Sequence, residues 1–203
     1  MQLPAVIVVL SLGLGLAQQP KPAAPVPVMS VEEALSTGLI EHSFAGRGGS
    51  SGDVITLTIR RAVRRPLRLR LAPGTVLRSA SADVQNMIVA AIKGELIDRE
   101  KYRATDVIEL PDDKERVYLL EAYCLDFDKE NPGASNRFSL GAVDGSALAL
   151  INSLPEDQKS VAVVQAALWL ADGVPKAAIR ERFEVSDADL LIAEITVALV
   201  KGE

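Results

Sequence analysis

The hydrophobic period of this 203-residue chain switches to two at Val54 and becomes helical at Ser146, and that pattern limits the possible folds more than any other feature. From Val54 apolar and polar residues alternate. Ile55, Leu57 and Ile59 are interleaved with Thr56, Thr58 and Arg60, and after a turn at Pro66 Leu67, Leu69 and Leu71 are interleaved with Arg68 and Arg70. A period of two sends successive side chains to opposite faces of a strand, so the segment reads as a half-buried antiparallel hairpin. Further strand candidates are Thr75 to Leu77, Asn86 to Ile92, Val107 to Leu110 and Val117 to Phe127, separated by Pro73-Gly74, Lys93-Gly94 and the polar run Asp112 to Glu115. From Ser146 the period becomes helical, and three or four helices follow. The expectation is an α+β fold: an antiparallel β-sandwich-like half, about residues 44–140, packed against a helical half, about residues 146–201, in one compact domain spanning 30–203.

The N-terminal residues carry a different kind of information. Residues 5–17, AVIVVLSLGLGLA, are apolar and uncharged but number about 13, short of the roughly 20 that a bilayer-spanning helix needs. The run ends Gly15-Leu16-Ala17, with small residues where a secretory signal is cleaved, so residues 1–17 read as an export signal. No transmembrane span is then expected after cleavage, and the location is secreted, periplasmic or cell envelope. Residues 18–29 follow as a linker; QQPKPAAPVPV has four prolines in eleven residues, which fixes φ and favours an extended spacer. A short helical stretch from Val31 to Ile40 precedes FAGRGGSSGD at Phe44 to Asp53. That segment lacks the Gly-Lys-Ser/Thr ending of a phosphate loop and leads into a strand, so it reads as a plain loop.

Charge and composition remove several functions. With 22 basic and 27 acidic residues the chain carries a formal charge of −5, and no net positive field draws it to nucleic acid. One histidine, His42, and one cysteine cannot build a familiar zinc or Ser-His-Asp site. No cofactor or metal is implied, and no nucleophile–base pair marks an enzyme. The loop Asp126-Phe127-Asp128-Lys129-Glu130-Asn131 alternates acids like a calcium loop, yet has Asn131 where glycine is required and Arg137 where a carboxylate is required. Val174 to Glu194 resembles a helix-turn-helix, but its second helix carries Asp187, Asp189 and Glu194 and would repel phosphates. It reads instead as a packed helical hairpin using Leu190, Leu191, Ile195 and Leu199.

Six arginines fall within residues 60–70, and strand alternation should place Arg60, Arg68 and Arg70 on one solvent face. Such a face could hold an anionic glycan or lipid headgroup. It could equally be a solvated surface that discourages edge-to-edge pairing, and the scarcity of aromatics, 4% of the chain, removes the stacking partners that single-strand binders use.

Two residues stand out chemically. Alternation in VYLLEAYCLDF (Val117 to Phe127) sets Leu120, Ala122 and Cys124 on one face and Glu121 and Tyr123 on the other, pointing Cys124 into the core. VAVVQAALWLA (Val161 to Ala171) is apolar all round except for Gln165, and such a helix belongs in the interior. A buried amide without partners costs on the order of 1–3 kcal/mol. Gln165 is therefore a satisfied core glutamine, the polar element of a pocket, or one end of a covalent link.

The stretches Tyr123-Cys124-Leu125-Asp126 and Val164-Gln165-Ala166-Ala167-Leu168-Trp169 resemble the two motifs of the thioester domains of bacterial surface adhesins. In that family a cysteine sulfur and a glutamine side-chain carbonyl join with loss of ammonia, and a host-surface amine then attacks the acyl bond. The resemblance implies that Cys124 is the acyl-accepting thiol and Gln165 the acyl donor, with Tyr123, Asp126 and Trp169 as motif neighbours. It implies a surface-binding or adhesion module whose partner is an amine-bearing surface protein. The alternatives drawn from the residues alone are a non-covalent binder of anionic glycan or headgroup through the arginines, and a purely structural envelope domain. The two motifs should meet, with the strand around Glu121 to Asp126 running beside the Gln165 helix.

Overall fold

A computed structural model describes residues 26–202 of the chain. The segment read as an export signal and residues 18–25 of the proline-rich linker lie outside the described residues. The end of that linker is strand: β1, Val28–Ser30, pairs in parallel with β4, Leu67–Arg70. Ser30 then caps α1, Val31–Ser36, by accepting a hydrogen bond from Glu33 N–H at 3.0 Å.

The β half is a barrel, which corrects the expected sandwich. Its strands are β2 (Ile40–Gly46), β3 (Ser51–Arg61), β5 (Thr75–Ser79), β6 (Met87–Leu96), β9 (Arg116–Cys124) and β10 (Arg137–Val143). They are hydrogen-bonded in the order β5-β10-β2-β3-β9-β6, every pair antiparallel, and pairing of β5 with β6 through Val76↔Ile88 and Leu77↔Met87 closes the ring. Closure removes the free edges that two stacked sheets would leave. β7, Tyr102–Ala104, extends β6 at its far end. A second sheet, β1-β4-β8, is completed by β8, Ile108–Leu110.

The hairpin expected around Pro66 is also corrected. β3 pairs with β2 and β9, whereas β4 leaves the barrel and pairs with β1 and β8. Both strands keep their alternation, because each buries one face: Ile55, Leu57 and Ile59 in one sheet, and Leu67 and Leu69 in the other.

The helical part comprises α2 (Gly145–Ser153), a single 3₁₀ turn at Glu156–Gln158, α3 (Val161–Ala171), α4 (Lys176–Arg182) and α5 (Asp187–Lys201). α3 starts at Ser160, whose side chain accepts Val163 N–H at 3.1 Å, and is buried continuously from Val163 to Trp169. α3 packs on β3, β9, α2, α4 and α5, which explains why its sequence has no polar face. α5 begins with a reciprocal capping box between Ser186 and Asp189. It buries Leu190, Ala193, Thr196 and Val197, while Leu191, Ile195 and Leu199 face solvent. That corrects the expected hairpin face, since α5 packs mainly on α3. Among the described residues no helix is long and apolar enough to cross a membrane.

Candidate functional site

The two sequence motifs meet at the C-terminal end of β9. Antiparallel strands direct the N–H and C=O of successive residues to alternate sides. Leu125 N–H bonds Asn86 O on the β6 side at 3.0 Å, so Cys124 presents its peptide groups to the β3 side. There the ladder runs out, for β3 begins at Ser51, opposite Tyr123. The side chain of Gln165 takes the vacant place. Its Oε1 accepts Cys124 N–H at 2.9 Å and its Nε2 donates to Cys124 O at 2.9 Å. The amide acts as one further rung of sheet, and both residues are fully buried.

The Cys124 thiol has its own contacts. Sγ lies 2.7 Å from Ser50 O, to which it donates, and 3.6 Å from Met87 Sδ. Burial pushes its pKa up to about 12; the Arg182 guanidinium opposes that rise and the Asp126 carboxylate adds to it. The thiol is therefore protonated at neutral pH.

The remaining motif residues frame this pair. Tyr123 is buried, as is Ala122 beside it, so both faces of β9 are covered here, where the sequence pattern indicated only one. Its hydroxyl donates to Glu121 Oε1 at 2.5 Å, and burial together with that carboxylate raises its pKa. Asp126 Oδ2 accepts Asn86 N–H at 2.7 Å and lies 3.3 Å from Lys129 Nζ, which ties the loop after β9 to the start of β6. Trp169 lies one turn beyond Gln165 on α3 and is packed edge-on between Phe127 (5.1 Å between centroids) and Phe183 (6.0 Å). Its Nε1–H has no hydrogen-bond partner among the described residues.

Sequence reasoning passed over Ser50, Met87 and Gln85. Ser50 lies in the glycine-rich loop, and nothing in its sequence says that its carbonyl closes on a thiol. Gln85 is a second fully buried amide, whose Nε2 donates to Asn131 Oδ1 at 3.0 Å while its Oε1 stays unpaired among the described residues. Its polar neighbours in sequence hid it, whereas Gln165 stood out against an apolar helix.

Arg60, Arg68 and Arg70 do not form one face. Arg60 is on the barrel, paired with Glu41, and the other two are on the small sheet, where Arg68 faces Glu109 at 3.3 Å and Arg70 faces Asp106 at 3.8 Å. Each has a carboxylate opposite it, and the split follows from β3 and β4 belonging to different sheets. Among the described residues no group of three or more His, Cys, Asp or Glu side chains is placed to hold a metal ion. A cavity of about 500 Å³ lies beside the motifs, lined by Leu125, Asp126, Asp144, Leu168, Asp172 and Lys201 among others. Burial and the nearby Asp144 and Asp126 raise the Asp172 pKa, against an opposing effect of Lys201. No family model matches the chain, and neither a curated protein nor a solved structure matches it.

Proposed function

We propose that this chain is an exported surface-binding module that attaches covalently to amine-bearing partners through an internal thioester between Cys124 and Gln165. The observation that supports this reading is the pair of 2.9 Å hydrogen bonds that seat the Gln165 amide on the main chain of Cys124. Donation of Cys124 N–H to Oε1 polarises the amide carbonyl and stands ready to stabilise an oxyanion on that oxygen.

The chemistry balances with the groups present. Cys124 Sγ attacks Gln165 Cδ, the Sγ–C bond forms and the C–Nε2 bond breaks. The thiol gives up its proton as it attacks, and that proton leaves with the amide nitrogen as ammonia. A primary amine of the partner then attacks the same carbon, loses its proton to the departing sulfur and restores the thiol. The product is an amide joining the partner to the Gln165 side chain. No oxidant, metal or cofactor enters, because a thiolate is both a capable nucleophile and a good leaving group.

The same hydrogen bonds also satisfy the amide without any chemistry, as in a structural envelope domain. Intact-protein mass spectrometry separates the readings. A formed thioester weighs one ammonia less than the sequence and gains the mass of methylamine when that amine is added. Full sequence mass, with no methylamine adduct, removes the covalent reading.

A further inference from the structure

The loop between β2 and β3 is placed to control access to the site. Cys124 and Gln165 are both fully buried, so no amine can reach the acyl carbon in the closed structure. The segment that meets the sulfur is residues 47–50, through Ser50 O at 2.7 Å. Gly48 and Gly49 have φ of +99° and +93°, and Gly52 just beyond has +83°, a left-handed region that favours glycine. An added Cβ would meet nothing within 4 Å at Gly48, so that glycine serves backbone freedom and not packing. One side chain fastens the segment. Arg47 Nη2 donates to Arg99 O at 2.7 Å and Nη1 to Asp53 O at 3.3 Å, which ties the loop to the turn after β6 and to its own second strand.

We propose that residues 47–50 form a latch over the Cys124–Gln165 pair, fastened by Arg47, and that it must lift before an amine can react. The proposal rests on the thioester reading for its purpose, but the latch itself is a statement about access to Sγ. Ser51 and Gly52 line a cavity of about 640 Å³ with Lys93, Glu121 and Val161. That space lies beside the loop and has room for a lysine-sized side chain. The arrangement also keeps water from the acyl bond until a partner arrives, so that hydrolysis does not compete with the amine.

The test reads access separately from chemistry. In the Gln165→Ala chain no thioester forms, so the thiol is free whatever the parent holds. Alkylation of Cys124 by N-ethylmaleimide is followed at several low urea concentrations. Opening of a local latch gives a rate that is flat in urea, whereas access through global unfolding gives a rate that climbs from the first addition. Adding Arg47→Ala should raise the flat rate about tenfold, since two hydrogen bonds to carbonyls are lost. In a parent that carries the thioester, Arg47→Ala should speed methylamine addition by a similar factor. A rate that climbs with urea and is unmoved by Arg47→Ala overturns the latch. Hydrogen exchange on the unsubstituted chain reads the same opening without any variant: the amides of residues 48–51 should exchange far faster than those of Ile55–Ile59, and equal protection overturns the proposal. Failure of the thioester reading is seen elsewhere, in the intact mass of the parent.

Discussion

Gln165 completes the β9 edge for Cys124: its amide accepts from the Cys124 N–H and donates to the Cys124 C=O, each at 2.9 Å, where β3 stops one residue short of supplying the same bonds. Truncation to alanine leaves a buried peptide N–H and C=O without partners and opens a void on a fully buried helix face. Gln165→Ala should therefore lower the unfolding free energy by about 2–4 kcal/mol. Urea denaturation measures it, and a loss well under 1 kcal/mol would show that the rung carries little stability.

The alkaline limb reports on the thiol. The Cys124 pKa is raised in the folded chain from its ordinary 9.0 to about 12, chiefly by burial. A raised value means that the folded state holds its proton where the unfolded state has lost it. The contribution is then fully present below about pH 9 and is lost as pH rises toward 12. The slope is about −1.4 kcal/mol per pH unit and the total reaches about 4 kcal/mol. Chains with a free thiol should lose stability over that window relative to Cys124→Ala. A chain whose sulfur is acylated has no proton to lose and should run parallel to Cys124→Ala. Denaturation at a series of pH values, on material whose mass has been checked, distinguishes the two.

How much of this was legible in the sequence varies by residue. The pairing of Cys124 with Gln165 was implied by the resemblance of the two motifs, and the segments that carry them are the least polar available to each other. The change of period at Ser146 likewise pointed to the α+β character. Barrel closure was not legible, because it rests on contacts between residues far apart in sequence, Phe138↔Ser79 and Phe138↔Phe44, and on strands whose pattern is weak. β2 exposes Glu41, His42 and Ser43 in succession, which erases the period of two, and β10 buries only Phe138 outright. The arginine cluster misled for a related reason. Alternation fixes which face a residue takes within a strand, but not which sheet the strand joins.

Trp169 offers a contrast between volume and polarity. Its ring fills the space between Phe127 and Phe183, yet its Nε1–H is unpaired among the described residues. Trp169→Ala should cost about 3–5 kcal/mol through the cavity it leaves. Trp169→Phe keeps most of the aromatic packing and removes an unsatisfied donor, so its cost should stay below about 1.5 kcal/mol. Equal losses for the two variants would mean that the indole nitrogen has a partner in solution.

Acid stability should hinge on Glu95 at the other end of the barrel. Burial alone would favour its neutral form, but hydrogen bonds from Arg103 and from Arg116, the latter at 2.7 Å, outweigh that and hold the carboxyl below its ordinary 4.5. A lowered value means that the folded state stays ionised after the unfolded state has taken up its proton. The contribution is present above about pH 4.5 and disappears as pH falls through the lowered folded value. Glu95→Gln should cost about 1–2 kcal/mol at neutral pH and flatten the acid limb of the stability profile. Salt gives a second handle. Arg103 is 69% exposed and its bond to Glu95 should weaken on screening, while Arg116, 19% exposed and also held by Asp112 at 3.2 Å, should resist it. Raised ionic strength should thus remove only part of the Glu95 contribution, and Arg103→Ala in place of Glu95→Gln should abolish the salt-sensitive part alone. An acid limb unchanged by Glu95→Gln would assign the loss of stability at low pH to other carboxylates.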